Sequence, residues 1–164
     1  MGSSARHMDV GVGILEERFG AADLKSEVVA FDYSEYYNAE MGEGILRQFL
    51  SFEGLIYPGL LANIKVATNQ MEREHSEGSS RRINIDPGYL TEASLILATT
   101  KPGSYRVYLG EEIYAQPTLR YVHKGFCPYE WTYNDYRDER HIDFFNRVRE
   151  KYRHQLSSKS LEKK

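Results

Sequence analysis

The sequence predicts an α+β domain: a ferredoxin-like βαββαβ core, its first strand not evident, extended by a β-hairpin and a C-terminal helix. Three observations carry this reading. Apolar residues recur at helical spacing in separate stretches. Strand-length apolar runs bounded by turn residues lie between them. Near residue 110, two alternating segments flank a short polar turn.

Taken in order, Val12, Leu15 and Phe19 share one helical face, and Gly20 is a natural stop. Residues 26–33, "SEVVAFDY", read as a strand. Residues 44–52, "GILRQFLSF", form a second apolar run of strand length. Pro58 opens a helix carrying Leu60, Ile64, Ala67 and Met71 on one side. A polar loop, 74–80, leads to a strand at 82–86 that ends in the turn signal Asp86-Pro87-Gly88. Thr91 is placed to cap a helix with Ala93, Ile96, Leu97 and Thr100 on one face, with a strand as the alternative because "LILATT" is short and apolar. The hairpin follows over "YRVYLGEEIYAQPTLRYVH", with Pro117 marking an edge position or a bulge. Ile142, Phe145, Val148 and Tyr152 define the last helix. "MDVGVGIL" alternates as a first strand would, yet the same residues serve the first helix.

At 164 residues the chain suits one domain with a sizeable core, and no internal repeat or long linker divides it. The opening "MGSSARHM" has the look of a cloning remnant, so the domain is expected over 9–155, with a frayed tail at 156–164. No apolar run approaches the roughly 20 residues that span a bilayer, which argues against a membrane protein. Cys127 is the only cysteine, which excludes an intrachain disulfide and points to the cytoplasm. A net charge of −3 gives no general attraction to DNA. Charge is nonetheless uneven, with ten acidic residues between Asp9 and Leu60 against Arg18, Lys25 and Arg47. Tyrosine is abundant at 13 copies, suited either to lining a ligand cleft or to packing a sheet.

Residues two apart in a strand share a face. Arg82, Asn84 and Asp86 would therefore present a guanidinium, an amide and a carboxylate together. On the hairpin, Arg106 stands on one strand, and Tyr114 and Thr118 share an alternation of the other. Guanidinium groups bind phosphate or carboxylate through paired hydrogen bonds, so the six residues suggest a site for a small anionic, nucleotide-like ligand. The competing reading is the wet side of a sheet, with Asp86 only bonding its own Asp-Pro-Gly turn. "FDYSEYY" and "WTYNDYR" pose the same choice between a ring-lined cleft and packing. The histidines are scattered without metal-ligand spacing, so no metal is expected, and Cys127 has no evident catalytic partner. No cofactor and no catalytic residue is assigned. Should there be a reaction, phosphate-ester or group-transfer chemistry suits these residue types.

Four blocks in order, "FDYSEYYNAEMGEGILRQFLSF", "RRINIDPGYLTEASLILATTK", "YLGEEIYAQPTLRY" and "WTYNDYR", resemble an uncharacterised bacterial domain-of-unknown-function family over roughly 31–152. The resemblance implies a bacterial, cytoplasmic protein. It implies no mechanism. Members are sometimes labelled GTP-binding, but the chain has no G-x-x-x-x-G-K-[ST] loop, and Gly42-Glu43-Gly44 lacks the lysine. Family members resemble a strand followed by a longer first helix, a pattern from which this chain departs at its start. The expected function is thus small-anion binding on the sheet. The alternative is a non-catalytic module for protein or RNA, although the RNP-type aromatic signature is missing.

Overall fold

A computed structural model describes residues 1–78 and 80–161. Its α+β class is the expected one, with four α-helices and antiparallel sheets. Helix α1 (Ala5–Phe19) begins where the Ser4 hydroxyl accepts the His7 N–H at 3.2 Å. It ends where Gly20, at φ +89°, returns its N–H to the Glu16 carbonyl. Two short ribbons follow: β1 (Ala22–Lys25) pairs with β4 (Leu50–Phe52), and β2 (Val29–Ala30) pairs with β3 (Leu46–Arg47). Between them stands the short helix α2 (Asn38–Met41). Helix α3 (Leu61–Glu74) is entered through a 3-10 turn with Pro58 at its first position.

The main sheet has five antiparallel strands: β5 (Gly88–Leu90), β6 (Ser94–Thr99), β7 (Val107–Gly110), β8 (Ile113–Val122) and β9 (Gly125–Pro128). Strand β8 is its spine. β6 lies along one edge of β8, while β7 and β9 share the other edge at opposite ends. Both turns flanking β8 are two residues long with positive φ, Glu111-Glu112 (52° and 57°) and His123-Lys124 (51° and 67°). That backbone hand matches the twist of the paired strands. The pairing of β6 with β8 shifts register beside Pro117, the position expected to carry a bulge. Helix α4 (Glu139–Leu161) closes the chain.

The sheet is covered on both faces. Leu95, Leu97, Leu119 and Phe126 pack with Phe49, Tyr136, Phe144 and Phe145 on the α4 side. Ala98 and Ile113 meet Leu61 and Ala62 of α3 on the other. Burial of apolar area on this scale, at about 25 cal/mol per Å², is the main stabilising term.

Several expectations are corrected. The strand order is not the ferredoxin-like βαββαβ one, because α3 joins the β1–β4 ribbon to β5 rather than two strands of one sheet. The main sheet is instead built from hairpins between neighbours in sequence. Residues 82–86 are extended but form no strand. The side chains of α3 take the place of a neighbouring strand: Lys65 donates to the Ile85 carbonyl at 2.7 Å, and the Ile85 N–H donates to Glu72 at 2.6 Å. The stretch after Thr91 is β6 rather than a helix. Thr91 accepts the N–H groups of Ala93 and Ser94, which makes a hairpin turn and not a helix cap. Helices on both faces explain why "LILA" is apolar at every position. Of 26–33 only Val29–Ala30 is a strand, and 44–52 divides into two short strands.

At the chain ends, Met1 and Gly2 are buried, and Gly2 bridges both Leu46 and Ile83. The last helix runs through Leu161, and 162–164 lie outside the described residues.

Candidate functional site

A cluster of charged side chains sits in the interior where β3, α3 and the turn before α4 meet. At its centre is Arg47, with a side chain only 5% exposed. One terminal nitrogen meets Asp86 at 3.2 Å. The other meets Asp135 at 3.1 Å and donates to the Tyr136 hydroxyl at 2.8 Å. The guanidinium also lies over the Phe49 ring, 4.5 Å from its centre. Lys65 lies 4.0 Å from Asp86 and 3.9 Å from Glu72. Arg81 joins Glu72, Glu40 and the Asn84 amide oxygen at 2.6–2.8 Å. The Asn84 amide nitrogen closes the circuit onto Asp86 at 2.9 Å.

The electrostatics follow from this crowding. Burial opposes the charge of Arg47, but Tyr136, Asp135 and Asp86 outweigh it and hold the guanidinium ionised. Asp86 pays the same burial penalty, yet Lys65 and Arg47 bring its carboxyl below the ordinary range. Asp135 goes the other way: burial dominates and raises it despite Arg47. Desolvation likewise raises the phenols of Tyr37 and Tyr136. The Met1 amine, buried and near Arg47, is lowered to about 5.

A second polar group gathers around Arg106, just before β7. Its Nε donates to Gln116 Oε1 at 2.8 Å, its Nη1 to the Lys101 carbonyl at 2.8 Å, and its Nη2 to the Tyr133 hydroxyl at 3.0 Å. None of these acceptors is charged. Gln116 is fully buried, and its amide nitrogen has no partner among the described residues. Beside it, Lys101 donates to the Tyr36 hydroxyl at 2.6 Å and stands 3.9 Å from that ring's centre. Tyr133 connects the two groups. Burial raises its phenol, Arg106 lowers it, and Asp86 and Asp135 raise it further.

Behind Arg106 runs a ladder of stacked groups. The guanidinium covers Tyr105 at 5.1 Å, and Tyr105 stacks on Trp131 at 5.1 Å. Trp131 stacks on Tyr129 at 4.9 Å, and Arg120 covers the far face of Tyr129 at 5.4 Å. The indole N–H donates to the Pro117 carbonyl at 2.8 Å, which ties the ladder to β8.

The six residues expected from sequence are distributed among several places. Asn84 and Asp86 join the Arg47 cluster, and Arg106 organises the second group. Arg82 is on the surface, paired with Glu77 at 2.8 Å. Tyr114 packs against Tyr108 across the hairpin. Thr118 is fully buried and donates to the Gln116 carbonyl at 3.0 Å. Sequence reasoning passed over Arg47, Lys65, Glu72 and Asp135. The available signal was a charged residue inside an apolar run, as Arg47 is in "GILRQFLSF", because such a charge is either exposed or paired in the interior.

Fold and site together define an α+β domain whose hairpin sheet positions two polar centres. A family model described as "Domain of unknown function (DUF4416)" matches residues 4–152, and the chain belongs to that family. Comparison with curated proteins and with solved structures returns no match. All four blocks that carry the family resemblance reach this region: Arg47 from the first, Asn84 and Asp86 from the second, Gln116 from the third, Tyr133, Asp135 and Tyr136 from the fourth. No helix among the described residues is long and apolar enough to cross a membrane.

Proposed function

We propose that this domain binds a small anionic ligand, presenting a phosphate or carboxylate, at Arg106. One observation carries the reading: Arg106 has only neutral acceptors, and beside it the buried Gln116 amide N–H has none. A half-buried guanidinium whose acceptors are all neutral lacks a counter-charge, and an oxyanion beside the unsatisfied donor supplies it. Lys101 adds a second cation with no carboxylate partner among the described residues. Tyr36 and Tyr133 are 62% and 42% exposed, so they offer ring edges and hydroxyls to the organic part of the ligand.

Of the residues expected from sequence, Arg106 anchors this site. Asn84 and Asp86 stand behind it, where Arg47 and Lys65 balance the carboxylate. The RNA alternative calls for open ring faces on which bases stack. In the Tyr105–Trp131–Tyr129 ladder those faces are already taken by one another and by Arg106 and Arg120. The single thiol, Cys127, supports a cytoplasmic setting.

The test is thermal denaturation with pyrophosphate, nucleoside phosphates and citrate, on the wild type and on Arg106→Gln. A ligand present at 100 times its dissociation constant stabilises the folded state by about 2.7 kcal/mol. The reading requires a shift in the wild type that Arg106→Gln loses while remaining folded. Equal shifts in both proteins, or none across the panel, would overturn it.

A further inference from the structure

A groove of about 600 Å³, the size of a small-ligand site, lies between α4, the β8–β9 turn and β1. It shares no residue with the Arg106 group. One wall is α4 from Asn146 to His154, about 12 Å of helix at 1.5 Å per residue. Lys124 of the turn lines it too, and Leu24 and Tyr121 give it apolar surface.

Exposed cations are ordinary on a protein surface, so what matters is which of them are already balanced. Glu150 lines the groove, but it takes Arg149 at 3.3 Å and Arg153 at 3.4 Å. Lys151 is held by Asp23 at 2.9 Å. Both carboxylates are thus committed. Lys124 and Arg147 have no hydrogen-bond or ion-pair partner for their side chains among the described residues. Asn146 spends its amide oxygen on the Phe126 N–H at 3.0 Å, and its amide nitrogen has no acceptor among them. The guanidinium of Arg149, a residue only 8% exposed, lies 3.4 Å from the centre of the Tyr121 ring, so a further positive charge backs the apolar surface. Lys124 itself holds φ +67°, a conformation easy for glycine and costly for lysine. The turn therefore carries an ammonium here against the preference of its backbone.

We propose that this groove binds a small organic phosphate monoester, its phosphate at Lys124 and Arg147 and its apolar or aromatic body on Leu24 and Tyr121. A monoester carries about −1.5 to −2 charges at pH 7, which matches two uncompensated cations where a carboxylate would leave one over. Its three terminal oxygens accept from a guanidinium fork, an ammonium and the Asn146 amide together.

The probe is phenyl phosphate, titrated into the isotope-labelled protein while amide chemical shifts are followed. Saturable shifts are expected at Lys124, Asn146 and Arg147. Arg147→Gln and Lys124→Gly should each weaken binding about tenfold or more, as the loss of a charge-assisted hydrogen bond does. Glycine suits the turn better than lysine, so a loss in Lys124→Gly cannot be put down to unfolding. Arg106→Gln should bind phenyl phosphate in the groove as the wild type does. Singly charged phenyl sulfate and inorganic phosphate, which lacks the ring, should both bind more weakly. Failure to saturate, or equal affinity in Arg147→Gln, overturns the proposal. So does equal binding of phenyl sulfate, since one charge then suffices, or of inorganic phosphate, since the apolar surface is then idle. A phosphotyrosine peptide that binds where phenyl phosphate does not would make the occupant a protein segment and overturn it too.

Discussion

Arg47 and Arg106 are two guanidinium groups in one small domain, and they are solved in opposite ways. Arg47 is buried, and each of its terminal nitrogens has a carboxylate, with Tyr136 and the face of Phe49 completing its surroundings. Arg106 is half-exposed, and its partners are an amide, two backbone carbonyls and a phenol. The first is a closed account, in which neighbouring charges already satisfy one another. The second is open, with positive charge held in a fixed orientation and no anion to receive it. A buried charge left unpaired is far more costly than a partly solvated one, so the two sites should respond differently to the same change.

The largest contrast comes from deleting each cation in turn. Arg47→Leu leaves Asp86 and Asp135 without their shared counter-charge, and a loss of about 3–5 kcal/mol in urea denaturation is expected. Arg106→Gln should cost less, about 1–3 kcal/mol, since its acceptors are neutral and the main loss is the partner of the buried Gln116 amide oxygen. Equal losses would erase the distinction.

Acid sharpens the comparison. The folded-state pKa of Asp86 lies below its ordinary 3.8, so its contribution is complete above 3.8 and is lost as pH falls through the folded value. Asp135 has the opposite sign: its pKa is raised, so its contribution is complete below 3.8 and fades as pH rises through the folded value. Asp86→Asn should therefore flatten the acid side of the stability profile, measured by urea midpoints from about pH 4 downward. Arg106→Gln should leave that side in place.

The smallest effect belongs to Lys101→Ala. It breaks one exposed hydrogen bond and a cation–π contact, so denaturation should move by less than about 1 kcal/mol.

What the sequence disclosed divides along a similar line. Several local signals were sound, though the cap reading of Thr91 was not. The helices over Val12–Phe19, Leu60–Met71 and Ile142–Tyr152, the β7–β8 hairpin and the irregularity at Pro117 all follow from spacing and turn chemistry. Strand β9 escaped notice because its turn uses His123-Lys124 at positive φ, where Gly or Asn would have advertised it. Residues 82–86 looked like a strand because alternation is visible in sequence, whereas the Lys65 and Glu72 side chains that replace a pairing partner are not. The site behaved likewise. Asn84 and Asp86 were readable as a pair because they are two residues apart. Arg47 reaches partners 39 and 88 residues away, a distance no local pattern encodes.

The ladder behind Arg106 also makes the protein its own optical reporter. Trp131 is the only tryptophan, and it is sandwiched between Tyr105 and Tyr129 within 5.1 Å. The end of that stack is the guanidinium that holds the open site. Indole emission responds to the rings and charges at its faces, so any occupant that draws Arg106 off Tyr105 changes the environment of the single emitter. Intrinsic fluorescence can therefore follow this site in the unmodified chain, without a label and without interference from a second indole.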